Sequence, residues 1–508
     1  MTPARAVLLV LLAALAFRVA LAFTHAGYLG VDGGAYLVGR NWVLGTQEVQ
    51  VLFARAPLGP GWLLVPFTSW LGDDLGYKLW SALAATAPVV AVWLLARRLV
   101  PAPYAIAATA FAAVDLLLIE MLVTGALPLL GFSLIALGIV AVDGLWRRWS
   151  VSHAALLVIA VGLIPYVNQT AAGMAVVVLP AYVGARLAFR MAGKRRAMGD
   201  GTTEGETSPI FRILWPALLT AAVGAGALPW YGDVAVGSAM TRYPGPLFKL
   251  VQPWDSAWAQ LAVALPLAAL AIAKSGDDRC RALGVLLASL AVAGCFVSFD
   301  ETIINLFYRS RYLQTLPFHV LLGWAAWRYM PTIATKRIRL AGAAALVVLG
   351  TMGSMFIFQR QSSYSDMVTP ATARAIERMT EPGAVVAPNF GMGTWISGLT
   401  GRGSWWAFNN QPPSAYAVTD QAVRCLFGWV PLCDPAAAQA ALGAAYVLID
   451  ERFPYYNKRA LPIYGAPLVD PWRPTKAAGW LRLIYNEGAT SLWTIQVSGP
   501  SRLSSPSF

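Results

Sequence analysis

The stretch YLGVDGGAYL, residues 28–37, carries one carboxylate, Asp32, followed by two glycines and then by Tyr36. It comes directly after the first apolar run of a chain in which only 12% of residues are charged. A carboxylate at the depth of lipid headgroups is suited above all to deprotonating an acceptor hydroxyl while a lipid-phosphate leaving group departs. Gly33 and Gly34 let a sugar ring or another backbone approach closely. The complementary need is cations for the phosphate. Arg40, Arg55, Arg242, Lys249, Arg309 and Arg311 stand apart from the basic clusters that fill alternate connections of the chain. A guanidinium fork matches phosphate oxygens, and FYRSRYLQTLP sets Arg309 and Arg311 beside the start of a helix. On a plainer reading these arginines snorkel to lipid phosphates and Asp32 caps an interfacial helix.

Glu120, in LLLIEMLVTG, is a second acid of interest. An ionisable residue inside a membrane span is costly and is a functional candidate by default. It could contact the acceptor, orient Asp32, or simply hydrogen-bond near a helix end. Asp115 precedes an uninterrupted apolar run and is the weaker candidate. Trp395, Trp405 and Trp406, in WISGLTGRGSWWAF, could stack on sugar faces or form the core of a domain, with the core reading favoured. His319, in LPFHVLL, reads as a core residue rather than a ligand.

Elements that would position these groups follow from composition. Of 508 residues 57% are hydrophobic, with 20 Trp and 18 Tyr to anchor at a bilayer interface. This implies a polytopic α-helical membrane protein. About eleven runs approach the 20 apolar residues that a span requires. They cover 5–23, 77–96, 104–123, 126–146, 152–167, 171–189, 212–229, 259–274, 283–299, 313–329 and 340–358. Alternate connections hold Arg97 and Arg98; Arg147 and Arg148; Arg190 with Lys194–Arg196; Lys274, Arg279 and Arg281; and Lys336, Arg337 and Arg339. The positive-inside rule makes these loops cytoplasmic, puts the N-terminus inside and puts everything after about residue 359 outside. Ala20-x-Ala22 resembles a signal-peptide cleavage site, but Arg18 interrupts the apolar region, so a retained first helix is the reading adopted. The alanine-rich composition suggests a bacterial plasma membrane.

Two domains are expected, a membrane part over 1–358 with a long outer loop 24–76, and a C-terminal extracytoplasmic α/β domain over 359–508. The loop contains two short amphipathic pieces, GAYLVGRNWVLG and GPGWLLVPFTSWLG, suited to the membrane interface. A second outer loop covers 230–258, and KRRAMGDGTTEGETSP reads as a cytoplasmic linker. In the tail, TPATARAIERM predicts a helix capped by Thr369 with Pro370 in its first turn, and AVVAP and AAYVLID predict short buried strands. LRLIYNEGATSLWTIQV predicts a strand pair joined at Asn486–Gly488. Cys425 and Cys433 share the oxidising face and are expected to form a disulfide, the other possibility being two free buried thiols. The four cysteines show no paired C-x-x-C spacing and there are only three histidines, so no metal centre is read and no cofactor is expected, a divalent cation being left open. Asn168-Gln169-Thr170 is a glycosylation sequon too close to the membrane to weigh.

An N-terminal helix, VDGGAY in a long outer loop, RAPLGPGWLL, and a helix ending in LLARRL together resemble the opening of the C-type glycosyltransferase superfamily. The resemblance is to its polyprenyl- and dolichyl-phosphate-sugar branch of protein mannosyltransferases and aminoarabinose lipid A transferases. RSRYLQTLPFHVLL is similar to that branch's late Arg-Tyr-Leu-x-x-x-Pro segment. The resemblance implies inverting transfer of a monosaccharide from a polyprenyl-phosphate carrier to a glycan, lipid or protein acceptor on the outer face. It implies Asp32 as base, with Arg311, Arg55 and Arg309 at the donor phosphate. Tyr36, Trp405 and Trp406 are the acceptor-side candidates, and Glu120 assists. Two departures matter. Gly33 after Asp32 removes the paired acids of metal-dependent relatives, and Thr124-Gly125 stands where relatives often have Thr-Glu. The rivals are an oligosaccharyltransferase or ligase using a pyrophosphate-linked glycan, and a non-enzymatic lipid-linked sugar flippase. The flippase would show inverted repeats or helices broken near the midplane. No nucleic-acid partner is expected; membrane lipids are.

Overall fold

A computed structural model describes residues 2–25, 33–46, 58–124, 127–197, 209–227, 248–250, 256–298, 309–333, 335–362, 368–388, 393–404, 422, 425–427, 433–450, 479–488 and 490–496. Helix α1 covers Pro3–Thr24, α2 Gly33–Leu44 and α3 Leu58–Ala96, followed by α4 Ala102–Ala113 and α5 Leu116–Thr124. Next come α6 Leu127–Arg147, α7 Val151–Gly162, the single turn α8 Ile164–Val167, α9 Gln169–Ala197 and α10 Pro209–Ala225. Strand β1 Phe248–Leu250 precedes α11 Ser256–Lys274 and α12 Asp278–Ala293; β2 Phe296–Ser298 pairs back on β1 antiparallel. Helices α13 Thr315–Ile333 and α14 Lys336–Ser362 lead to the tail. It contains α15 Pro370–Met379, β3 Val385–Pro388, α16 Gly393–Thr400, β4 Gly403–Ser404, α17 Pro435–Leu442, β5 Tyr446–Asp450, β6 Leu481–Glu487 and β7 Thr490–Ile495.

The chain is mostly helical, and its long apolar helices make it an integral membrane protein. Six described helices are long and apolar enough to cross a bilayer, and α4 with α5, bent by 45° at their junction, make a seventh span if counted together. Each of the eleven expected ranges overlaps a helix, but the count of eleven is not reproduced. At 1.5 Å per residue the 16 residues of α12 reach about 24 Å, short of the roughly 30 Å hydrocarbon core. The apolar stretch 151–167 is divided between α7 and α8. Prolines lie inside α9, α10, α11 and α13 without ending them, as membrane helices permit when neighbours satisfy the freed carbonyls.

Contacts divide the chain into two units. The first comprises Met1–Thr24, Lys78–Gly232 and Arg242–Gln361. Within it α6 is the central element, with 83% of its apolar window buried, against α7, α9 and α10. Small residues bring these helices close: a Cβ added to Gly131 would stand 2.4 Å from that of Ala171. The basic loops converge at one end of this unit. Arg98 donates to the Val140 carbonyl at 2.6 Å, Arg279 to the Arg98 carbonyl at 3.0 Å and Arg212 to the Arg147 carbonyl at 2.9 Å. There the Arg186 guanidinium is buried between Asp143, at 2.6 Å, and Asp278, at 2.9 Å, and lies over the Trp146 ring. Tyr182 donates to Asp143 at 2.7 Å. This buried network was not foreseen from the sequence.

The second unit comprises His25–Tyr77, Asp233–Thr241 and Ser362–Phe508. Its sheet has the order β4-β3-β5-β7-β6, with β4, β3 and β5 parallel and β7 and β6 antiparallel. Thr369 Oγ1 accepts from the Thr372 amide and opens α15 where its capping residue predicts. Asp434 caps α17, which ends at Gly443 in the left-handed region. Phe427, Leu426, Val447, Ile449 and Leu442 form the core beside the sheet, and Cys425 is bonded there to Cys433 across a Cα–Cα distance of 5.7 Å.

The boundary expected at residue 358 differs from this division, because the outer loop 24–76 groups by contacts with the tail. Helices α2 and α16 pack backbone to backbone: a Cβ on Gly398 would stand 2.6 Å from the Gly34 carbonyl oxygen and 2.7 Å from Leu37 Cβ. Asn41 donates to the Gly398 carbonyl at 3.0 Å, and Tyr77 meets Trp395 edge-on at 5.6 Å. Trp395 is therefore core.

Candidate active site

Among the described site residues, Glu120, Arg311 and Arg309 belong to the membrane unit. Helical backbone runs from Arg309 through Leu313 and continues into α13, as the Gln314 amide donates to the Ser310 carbonyl and the Phe318 amide to the Gln314 carbonyl. Arg311 is buried at 3% exposure. Gly294 makes the room, since a Cβ there would stand 3.1 Å from Arg311 Cβ. Arg311 Nη2 donates to the Tyr312 hydroxyl at 3.0 Å, that hydroxyl donates to Glu120 Oε1 at 3.3 Å, and Nη2 itself stands 3.6 Å from Oε1. The guanidinium also lies over the Tyr312 ring, 5.0 Å from its centroid. A buried guanidinium fork, oriented by a phenol and a carboxylate, is matched in charge and geometry to phosphate oxygens. In the sequence Tyr312 stood only as the tyrosine of the Arg-Tyr-Leu-x-x-x-Pro segment, with no role read for it.

Glu120 reaches this position because its span is broken. Asp115 Oδ1 accepts from the Leu117 and Leu118 amides at 2.9 and 3.1 Å and starts α5, while its Oδ2 pairs with His319 Nε2 at 2.8 Å. The poorer acid candidate is thus a helix cap, and His319 is a buried histidine paired to it through Nε2.

Arg309 is half-buried at the start of its turn. Arg40, among the cations considered for phosphate, is held by Asp73 and by Asn41 Oδ1 at 3.0 Å. Tyr36 is buried at 7% exposure and presents no open face to an acceptor, because α2 is packed into the second unit. Asp32, Arg55, Arg242, Trp405 and Trp406 lie outside the described residues. Among the described residues no three His, Cys, Asp or Glu side chains stand together as a metal site would need.

No family model matches the chain, and no curated protein matches it by sequence. Solved structures do. The apo oligosaccharyltransferase of Archaeoglobus fulgidus matches with TM-score 0.55 at 12% identity over 90% of this chain and 71% of that one. The arabinofuranosyltransferase AftD from Mycobacteria matches with TM-score 0.58 at 15% identity over 96% of this chain and 40% of that one. ArnT from Cupriavidus metallidurans, bound to undecaprenyl phosphate, matches with TM-score 0.56 at 14% identity over 98% of both chains. The chain shares its fold with these proteins. At such identities the likeness is one of architecture, and what these proteins bind or transfer is theirs.

Proposed function

We propose that the chain is a membrane glycosyltransferase that moves one sugar from a polyprenyl-phosphate carrier to an acceptor hydroxyl on the outer face, with inversion. The observation that carries this reading is the buried Arg311, set against Glu120 and Tyr312 in a chain folded like lipid-linked sugar transferases. A lipid-phosphate carrier is supported by the match to ArnT bound to undecaprenyl phosphate, which extends over 98% of both chains. Lipid phosphates also occupy a relative of this fold on the oligosaccharide side, the Archaeoglobus enzyme in complex with an inhibitory peptide and a dolichol-phosphate.

In this mechanism the Asp32 carboxylate takes the proton of the acceptor hydroxyl. The freed oxygen attacks the anomeric carbon from the face opposite the lipid phosphate, and the bond from that carbon to the phosphate oxygen breaks. The lipid phosphate leaves with the electron pair, its charge met by Arg311, with Arg55 and Arg309 contributing. Glu120 sets the Arg311 fork through Tyr312, and Trp405 and Trp406 face the acceptor.

Transfer is measured in lipid-reconstituted protein offered radiolabelled polyprenyl-phosphate sugars, pyrophosphate-linked glycans and membrane extract as acceptor. Wild type is expected to transfer a monophosphate-linked sugar. Asp32→Asn is expected to bind donor and to lose at least about 100-fold in rate, the usual contribution of a general base. Transfer only from pyrophosphate donors would make the chain an oligosaccharyltransferase. Inert protein that moves the lipid between leaflets would make it a flippase.

A further inference from the structure

We infer that Asp115 and His319 are positioning residues, a second buried rung that sets where Glu120 meets Arg311 and Tyr312; the inference deepens the reading above and rests on it only for its kinetic arm. Two contacts join the same two segments. On one side Asp115 caps α5 and Glu120 lies within it; on the other Tyr312 and His319 lie on one continuous helical path. Asp115 pairs with His319 and Glu120 with Tyr312, so the numbering rises on one side as it falls on the other and the segments run antiparallel. Seven residues separate Tyr312 from His319, close to two helical turns, or about 10.5 Å of rise, which returns both to one face. Five residues separate Asp115 from Glu120, about 7.5 Å. With one rung made, the other falls within reach.

The remaining groups freed by the break are met from other helices, which fixes its angle. Arg18, buried at 0% exposure in α1, donates to the Ala113 carbonyl at 2.9 Å. Ser354 of α14 donates to the Val114 carbonyl at 3.0 Å. Two glycines let α14 lie against the bend: a Cβ on Gly350 would stand 2.6 Å from Val114 Cγ2, and one on Gly353 2.9 Å from Leu116 Cδ2. A break between α4 and α5 that recruits an arginine, a histidine and a serine from three helices is a built feature. Its effect is to aim the short segment bearing Glu120.

The test has an arm that needs no activity. Glu120→Cys with Tyr312→Cys removes one rung and leaves Asp115–His319 as the side-chain tie between these two segments, with the Arg18 and Ser354 contacts common to every background. Cross-linking of this pair by a short bis-maleimide, needed because two cysteines are shorter than the glutamate and tyrosine they replace, is expected to be at least about five-fold slower with His319→Leu and restored by His319→Gln, whose amide can donate to Asp115. Equal cross-linking in all three backgrounds would overturn the inference. Should His319→Leu fail to fold, His319→Phe keeps ring bulk without the hydrogen bond and is read the same way. In the transfer assay His319→Leu is expected to lower kcat about ten-fold, His319→Gln to recover it, and Glu120→Gln added to His319→Leu to cost nothing further. Multiplying losses would overturn the positioning role. A wild type that transfers no sugar would remove the proposed function, while the cross-linking arm would still decide the inference.

Discussion

The Tyr446 hydroxyl donates to Glu381 Oε2 at 2.5 Å and ties the end of α15 to β5. That bond holds the Glu381 carboxyl below its ordinary range, while burial and the same bond push Tyr446 up to about 12. A depressed carboxyl stabilises the fold above its unfolded pKa, near 4.3, and the contribution is lost as pH falls through the folded value. A raised phenol stabilises it below about pH 10 and loses that contribution as pH rises through about 12. Tyr446→Phe should therefore lower the unfolding midpoint at pH 7, and by less at pH 3. Because Glu381 is exposed, the effect at pH 7 should be under about 1 kcal/mol. Thermal melts of both proteins at the two values check this. Arg186 belongs to the other extreme, with 3% exposure. Arg186→Leu strands Asp143 inside and should cost about 3–5 kcal/mol, whereas Arg186→Met with Asp143→Leu should recover part of that. Unfolding titrations in mixed micelles would show it, and equal losses in single and double variants would contradict the account.

Among elements, the contact of α2 with α16 is the most demanding in the second unit. Gly398→Ala inserts a Cβ where the Gly34 carbonyl already stands, and overpacking of this kind costs about 1–3 kcal/mol. Gly342→Ala, inside α14, meets nothing within 4 Å and should be neutral or stabilising by up to about 1 kcal/mol. Paired melts decide between them. Elements whose signals are local were legible in the sequence: Thr369-Pro370 announced α15, and the turn at Asn486–Gly488 announced the β6–β7 pair, Gly488 taking a φ of 57°. The positions of the apolar helices were legible for the same reason, since a run of apolar residues is a one-dimensional signal. The number of full spans was not, because length alone does not reveal that a helix such as α12 stops short. Pairings across distance were illegible. Asp115 and His319 are 204 residues apart, and neither residue type is diagnostic without the other. Glu120 was singled out by its cost in an apolar setting and Arg311 by standing apart from the basic clusters, yet Tyr312, which joins them, carries neither signal.

At the scale of the molecule, the second unit is assembled from three separated stretches of chain, residues 25–77, 233–241 and 362–508. It follows that the tail is not a removable module. A chain ended after Gln361 should leave Leu37 and Val38, both buried in the full protein, without α16, and should be cleaved by protease within 33–46 and recovered as aggregate. Size-exclusion profiles and limited proteolysis of the two chain lengths measure this; a monodisperse, resistant short chain would argue against it.

The same discontinuity has a temporal side. Asn41 and its acceptor Gly398 are 357 residues apart, which at about 5–20 residues per second of synthesis is roughly 20–70 s. For that interval the newly made α2 must be sheltered by a membrane surface or a chaperone, its own partner not yet existing. A frameshift just before residue 393 would therefore register first as misfolding around residues 33–46.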